Sequence, residues 1–151
     1  MENSQLAALA ATIAPEAQVV QGKQFVEITV SAADLYAVAD KLKNNSETAV
    51  DMLVSVTGMD YGTDLGTVYH LRSTVHNHMI VLKTRVSDRE NPEIESLCAL
   101  WPAAEFHERE AYDLLGIRFR NHPDLRRLFL DSTWGYPLRK DYKDDVNILA
   151  K

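Results

Sequence analysis

The 151-residue chain contains a single cysteine, Cys98, and no apolar run approaching the length of a membrane span. A single thiol excludes an internal disulfide framework and a thiolate zinc cage. The missing apolar run excludes a membrane-spanning helix. The first residues also lack the positive charges of a secretory or organellar leader. We therefore expect a soluble, reducing compartment, which leaves open attachment to a membrane through another protein.

Positive charge is scarce in most of the chain. Residues 1–116 hold 8 Lys/Arg against 17 Asp/Glu, whereas residues 117–151 hold 8 against 5. The charge balance therefore changes from −9 to +3 at this boundary, within a total of −6. Because an acidic body repels phosphate and no RNP-type motif is present, we expect no nucleic-acid partner. The uneven charge favours a protein partner for the basic end.

Hydrophobic periodicity predicts an alternation of short helices and strands. The predicted elements are a helix over 6–13, a strand over 24–30, a helix capped by Ser31 that ends near Asn44, a buried strand over 52–57, a glycine-rich turn over 58–66, and a hairpin of 67–75 with 79–86. This order indicates an α+β fold, in which helices pack on a small mixed or antiparallel sheet.

The second half of the chain shows two more helical patterns followed by irregular sequence. Asn91 is suited to cap a helix that stops at Pro102, and a further helix spans residues 104–115. Gly116 is suited to the left-handed position that ends such a helix. Beyond it no periodicity persists, although the segment is too hydrophobic for a solvated tail. We predict an α+β domain over residues 1–116 and an extended, irregular, basic C-terminal arm over residues 117–151.

The densest polar cluster lies on the helix predicted over residues 104–115. Glu105 and Arg109, and likewise Arg109 and Asp113, stand four residues apart, a spacing that supports a helix by ion pairing. A competing hypothesis is a stand-alone metal-dependent hydrolase that uses His107 and Glu108. The zinc-protease spacing would place a second histidine where this chain has an alanine. The pattern therefore favours a charge network.

His76 and His78 are the other candidate metal ligands. On one face of a continuous strand the two imidazoles would suit a metal ion. Their position between two predicted strands favours an exposed hairpin turn instead.

The predicted arm interleaves arginines with aromatic and aliphatic residues. An arginine fork binds carboxylates in a bidentate geometry, so this pattern favours docking against an acidic protein partner over a merely solvated surface. RNA is the competing ligand, which the acidic body and the missing RNP-type motif disfavour. The predicted docking residues are Phe119, Arg126, Arg127, Phe129, Trp134, Pro137, Arg139, Lys140 and Asp141.

Three stretches, over residues 108–119, 122–127 and 134–142, closely resemble the signature of the thirty-kilodalton subunit family of respiratory complex I, the NuoC-like or C-subunit family. The resemblance extends over about residues 101–142, and its positions recur in order. The signature and charge-network residues in this sequence are Glu108, Arg109, Glu110, Tyr112, Asp113, Gly116, His122 and Pro123.

The resemblance implies a non-catalytic peripheral-arm subunit of a bacterial, proton-translocating NADH:quinone oxidoreductase. Such a protein scaffolds the quinone-reducing module, with its C-terminal extension against the large forty-nine-kilodalton partner, called the D subunit. FMN, iron–sulfur clusters and quinone would then belong to other subunits, and no cofactor or active site to this chain; a cluster typically needs four thiolates. The implied location is the cytoplasmic face of the inner membrane, contacted only through the complex. The signature does not separate this enzyme from a related membrane-bound hydrogenase or dehydrogenase complex.

Overall fold

The computed structural model describes residues 2–143 and has the predicted α+β architecture. Within those residues, three helices and seven strands alternate along the chain, and no helix is both long and apolar enough to cross a membrane. The elements are α1 (Asn3–Ile13), β1 (Gln18–Gln21), β2 (Val26–Ser31), α2 (Leu35–Asn44), β3 (Met52–Asp60), β4 (Leu65–Ser73), β5 (His78–Val86), β6 (Glu93–Glu95), α3 (Ala104–Leu115) and β7 (Arg118–Arg120).

The main sheet is mixed and has five strands in the order β1-β2-β5-β4-β3. Strands β2 and β5 pair in parallel, and the other neighbours are antiparallel. The predicted hairpin is confirmed, since β4 and β5 pair from Leu65 with Val86 to Ser73 with His78. Its strands alternate between buried and more exposed side chains, as expected for a sheet with one packed face.

The core lies between the sheet and all three helices. Ile28, Tyr69 and Leu82 point from the sheet into this layer and are fully buried together with Leu6 of α1 and Leu35 of α2. Burying a large aliphatic side chain stabilises the fold by about 1.5–3 kcal/mol. The opposite face of the sheet has no helix against it in the part of the chain that the structure describes.

Helix α3 packs closely against β3 because Gly58 has no side chain. A Cβ atom at Gly58 would lie 2.5 Å from Leu115 Cδ1 and 3.2 Å from the Ala111 side chain. The prediction of Gly58 as a turn residue is therefore wrong. The strand continues to Asp60, and the turn spans residues 61–64.

Two other local predictions need correction. Ser31 ends β2 instead of capping α2, and its hydroxyl donates to the carboxylate of Asp34, the residue before the helix, at 2.9 Å. Strand β3 is not buried on both faces, because Met52 and Val54 are exposed. As the last strand of the sheet, β3 has a partner strand on one side only.

The helix predicted from Asn91 to Pro102 is replaced by β6 and turns. Strand β6 pairs in parallel with β7, and Glu93 lies opposite Arg118 while Ile94 lies opposite Phe119. In a helix the amide of Leu97 would donate to a carbonyl group of the same helix. Here it donates to the Glu108 carboxylate at 2.9 Å. Asn91 and Pro92 are residue types typical of a helix start, but the pairing of β6 with β7 overrides this local preference.

The predicted boundary at 116/117 falls inside the folded unit. Ile117 and Phe119 are 0% and 2% exposed and belong to the core. The prediction that Phe119 docks on a partner is therefore wrong, because the domain already buries its ring. The irregular segment begins after Arg120 and lies against α3; we call residues 121–143 the arm. The remainder of the predicted arm, residues 144–151, lies outside the described residues.

Candidate functional site

Helix α3 buries three charged side chains, an arrangement that proteins tolerate only when the charges are paired. Glu108, Arg109 and Asp113 are 0%, 4% and 0% exposed. Arg109 and Asp113, four residues apart, lie on one side of the helix, and Glu108 lies on another. Glu108 holds the segment after β6, whereas Arg109 and Asp113 both hold the arm, so α3 connects these two segments.

Glu108 binds the segment that follows β6. Its carboxylate accepts hydrogen bonds from Ser96 Oγ at 2.6 Å, from the Leu97 amide at 2.9 Å and from Cys98 Sγ at 3.2 Å. Burial raises the pKa of Glu108 above its ordinary value, although these donors and nearby His122 oppose the shift. The sequence pattern indicated that Glu108 is charged and helical, but contained no signal for these partners.

Cys98, Glu108 and His122 form the cluster with metal-ligand chemistry among the described residues, with ligand atoms within 4.8 Å of one another. His122 Nε2 lies 2.9 Å from the Glu105 carbonyl, and Nδ1 accepts from the Asp124 amide at 2.9 Å. Both ring nitrogens are therefore engaged in the neutral tautomer that donates through Nε2. Burial raises the pKa of the Cys98 thiol to about 12, which disfavours a thiolate ligand.

This cluster does not match the hypothetical hydrolase site. His107, the predicted partner of Glu108, is absent from the group of close ligand atoms, and His122 takes the place near Glu108 instead. The arrangement fits a hydrogen-bonded support for α3 better than a metal centre or an acid–base pair.

The two turn histidines also act as structural hydrogen-bonding groups. His76 is exposed as predicted, but the same prediction for His78 is wrong, because it begins β5 and is 8% exposed. His78 Nε2 lies 2.8 Å from the Thr48 carbonyl, and His76 Nε2 lies 2.7 Å from the Ser46 carbonyl. Burial lowers the pKa of His78, which favours the neutral ring. The loop after α2 covers this side of the hairpin.

Arg109 binds the backbone of the arm instead of the carboxylates four residues away. Its Nε donates to the carbonyl of Arg126 at 3.1 Å, and its Nη2 donates to the carbonyl of Arg127 at 2.8 Å. The predicted ion pairs with Glu105 and Asp113 are therefore replaced by longer-range bonds. The guanidinium carbon also lies 5.6 Å from the centre of the Phe106 ring.

Asp113 accepts three hydrogen bonds from the arm. Arg127 Nε donates at 2.5 Å, the Phe129 amide at 2.7 Å and the Leu130 amide at 3.2 Å. Burial alone would raise the pKa of Asp113, but these donors together lower it below its ordinary value. Arg127 also donates to the carbonyls of Trp134 and Gly135. Arg127, a predicted docking residue, therefore also holds the arm within the chain.

The end of α3 holds the second half of the arm. Gly116 has φ 77° and ψ 15°, the left-handed cap that the sequence predicted. A Cβ atom there would lie 2.8 Å from the Tyr136 ring, so packing also requires glycine. Arg139 Nε donates to the Leu115 carbonyl at 2.6 Å, and its guanidinium lies over the same tyrosine. Arg139, another predicted docking residue, is thus used within the chain.

A second acidic site, at Asp60, was missed by the sequence interpretation. Arg89 donates to both Asp60 oxygens, at 2.7 and 2.9 Å, and the Lys140 amide donates to one of them at 2.8 Å. The Arg89 guanidinium holds the pKa of the Asp60 carboxyl well below its usual range. Asp141 lies 3.6 Å from Arg89. These partners are 29 and 80 residues from Asp60, too far for a local motif to reveal them.

The arm presents large apolar side chains to solvent. Phe129 is 71% exposed, Leu138 60% and Trp134 44%, and Phe106 on α3 is 59% exposed. Exposed aromatic residues on an ordered segment are typical of protein interfaces. The α3–arm surface, as we use the term, consists of Phe106, Arg126, Phe129, Trp134, Leu138 and Lys140, all exposed.

The remaining predicted residues lie on α3 or on the arm. Glu110 and Pro123 are exposed, Pro137 is half-buried, and Asp141 is exposed. The half-buried Tyr112 ring packs 6.3 Å from that of Tyr136.

Comparison with known proteins identifies the family. The family model described as respiratory-chain NADH dehydrogenase, 30 Kd subunit, matches residues 28–146. The chain belongs to this family. The predicted NuoC-like resemblance is thereby confirmed. This family member is 49% identical over 124 residues to the C/D subunit of NADH-quinone oxidoreductase from Phocaeicola vulgatus, covering 81% of the chain and 24% of that relative. It spans about a quarter of the length of the first curated relatives it matches.

A second relative has a similar length. The NuoC-like chain is 40% identical over 132 residues to the C subunit of NADH-quinone oxidoreductase from Moorella thermoacetica, covering 85% of the chain and 87% of the relative. Among solved structures, a chain of the membrane-bound sulfane sulfur reductase, an archaeal respiratory membrane complex, matches with a TM-score of 0.81 at 22% identity, covering 95% of this chain and 86% of that one. At that identity, the likeness supports the fold alone.

Proposed function

We propose that the chain is a non-catalytic subunit of a proton-translocating NADH:quinone oxidoreductase, where it scaffolds the quinone-reducing module beside the large D subunit. The observation that carries this proposal is the α3–arm surface. Buried charges on α3 fix the course of an irregular segment, and that segment exposes Phe129, Trp134 and Leu138. Ordering the arm beforehand reduces the entropy lost when a partner binds.

The relatives support the D subunit as the partner. The Phocaeicola vulgatus relative carries a name that joins the C and D subunits, and this chain matches 24% of it. A polypeptide named for both subunits favours their adjacency in the assembled enzyme. The exposed surface of this chain would then be the part that meets the D subunit.

The surface combines apolar anchors with two exposed cations. Burial of Phe129 and Trp134 removes aromatic area from water, and such residues typically contribute about 2 kcal/mol or more at the centre of an interface. Arg126 has a side chain that is 67% exposed and pairs with Asp124, two residues away and itself exposed. Together with Lys140 it is positioned to meet carboxylates of the partner, while Arg127 and Arg139 hold the arm.

No active site or cofactor site of its own is proposed for this chain. The cluster with metal-ligand chemistry uses its imidazole nitrogens in hydrogen bonds, and the raised pKa of Cys98 disfavours a reactive thiolate. In this proposal FMN, iron–sulfur clusters and quinone belong to other subunits, and the complex lies at the cytoplasmic face of the bacterial inner membrane. The hydrogenase-type alternative is not favoured, because the relatives with the higher identity are named as parts of NADH-quinone oxidoreductase.

The test is co-purification of the D subunit with tagged chain variants from cells. We expect Phe129→Ala with Trp134→Ala, and separately Arg126→Ala, to reduce recovery of the D subunit at least tenfold. Val75→Ala is the matched control, because Val75 is 72% exposed in a distant hairpin turn. Circular dichroism checks that each variant remains folded. If both surface variants are folded and recover as much D subunit as the wild-type chain, the docking surface is refuted. If the wild-type chain itself recovers no D subunit, the proposed complex is refuted.

A further inference from the structure

The five-stranded sheet has one face that no helix covers within residues 2–143. Its side chains alternate with those of the core and include Val68 and His70 on β4, and Val81 and Lys83 on β5. They line a groove of about 520 Å³ that reaches from Phe25 across the sheet to Tyr61. Its volume is in the range of grooves that hold several side chains of a ligand.

Basic side chains are concentrated on this face. Of the 8 Lys/Arg in residues 1–116, four lie here: Lys23 at the groove, Arg72 on β4, and Lys83 and Arg85 on β5. Among the strand residues that the structure describes on this face, only Glu27 is acidic, and it is paired with Lys83 at 2.7 Å. The face is therefore net positive on a body whose charge balance is −9.

The floor of the groove between these cations is apolar. Val81 is 4% exposed, Val68 is half-buried beside it, and Met59 stands at the rim with 38% exposure. Cations around an apolar floor complement a ligand that alternates carboxylates with aliphatic side chains. In an extended polypeptide, side chains two residues apart point to the same side, so carboxylates and aliphatic side chains that alternate at every second position would all face the groove.

The aromatic rings of the groove do not favour nucleic acid. The guanidinium carbon of Arg85 lies 3.6 Å from the centre of the Tyr61 ring and covers that face. The Phe25 ring meets the His70 ring edge to face, at 6.1 Å between centres. Stacking of bases needs free ring faces. A flat lipid surface does not fit this site, because the groove is concave.

We propose that this uncovered sheet face binds an acidic, extended segment of a neighbouring protein in the complex. The proposal rests on the proposed membership of a larger complex, but it concerns the uncovered sheet face, which borders the α3–arm surface at β3, where Thr57 and Leu138 line one pocket. The carboxylates of the segment would pair with Lys23, Arg72 and Arg85, and its aliphatic side chains would cover Val68 and Val81.

Site-specific photo-crosslinking in the assembled complex tests this inference. A photoreactive amino acid replaces Gln24, an exposed residue that lines the groove at the end away from β3. The matched control places it at Ala37, which is exposed on α2. Mass spectrometry then identifies the crosslinked molecule. We expect the Gln24 probe, and not the Ala37 probe, to capture a segment of another protein of the complex with more Asp/Glu than Lys/Arg.

Charge reversal provides the second readout. A synthetic peptide of the captured segment is titrated against the full chain, and Arg72→Glu with Arg85→Glu should weaken its binding at least tenfold. Lys41→Glu, which reverses an exposed charge on α2, should change the affinity less than twofold.

The possible outcomes separate this inference from the proposed function. A neutral or basic segment, a lipid, a nucleic acid or no adduct at Gln24, in a complex that contains the D subunit, overturns the inference alone. An acidic adduct from an assembly that lacks the D subunit supports the inference and overturns the proposed function.

Discussion

Replacing Asp113 with alanine is expected to release residues 126–130 from α3 while the sheet stays folded. The carboxylate is fully buried and accepts bonds from Arg127 and from the amides of Phe129 and Leu130. Removing one partner of a buried, hydrogen-bonded charge pair costs about 3–5 kcal/mol. The population of the open arm should therefore rise about 10²- to 10⁴-fold.

Hydrogen exchange followed by mass spectrometry measures this release directly. The amides of Phe129 and Leu130 should exchange far faster in Asp113→Ala, whereas the peptides of β4 and β5 should keep their protection. Glu110→Ala, an exposed position on the same helix, is the matched control. Unchanged exchange of the two amides in the Asp113 variant would show that the carboxylate does not hold the arm.

The pH dependence of the same exchange follows from the lowered pKa of Asp113. Its unfolded value is about 3.9, so its stabilising contribution is complete above that pH and is lost as the pH falls through the folded pKa. After correction for intrinsic exchange rates, the wild-type arm should open only below about pH 4. An arm that opens near neutral pH would contradict this reasoning.

Three further predictions concern the rest of the site. Arg89→Ala should lower the free energy of unfolding by about 2 kcal/mol in urea titrations, and the difference should shrink below about pH 4, because the pKa of its partner Asp60 is held low. Gly58→Ala should destabilise the chain by about 1–3 kcal/mol through the clash with Leu115; an unchanged urea midpoint would contradict this. With its pKa raised to about 12, Cys98 should react with a disulfide reagent at pH 8 far more slowly in folded than in unfolded chain; equal rates would refute its protection.

Elements with local signals were predictable from sequence. The apolar spacing of α3 and the glycine after it correctly predicted the helix and its left-handed cap. The β4–β5 hairpin was equally predictable, because alternation of apolar and polar residues and a short connection are local properties of the sequence. The family signature was recognised from consecutive residues for the same reason.

Elements determined by distant partners were not predictable. Asn91 and Pro92 give a sound helix-start pattern, but pairing between β6 and β7 requires Arg118–Arg120, more than twenty residues later. The four-residue spacing of charged side chains on α3 predicts ion pairs between them, whereas their actual partners lie in other segments. Burial of Phe119 depends on that same strand pairing, and alternation over three residues carries too little information to show it.

The bonds that hold the arm have a consequence for how its sequence can vary. Arg109 binds two carbonyl groups, and Asp113 binds two amides in addition to Arg127. Every residue except proline supplies both groups, whatever its side chain. The exposed side chains of Arg126 and Phe129 are therefore free to change with little effect on the path of the backbone. Helix α3 can therefore hold arms of different sequence, and so different binding surfaces, along the same backbone path.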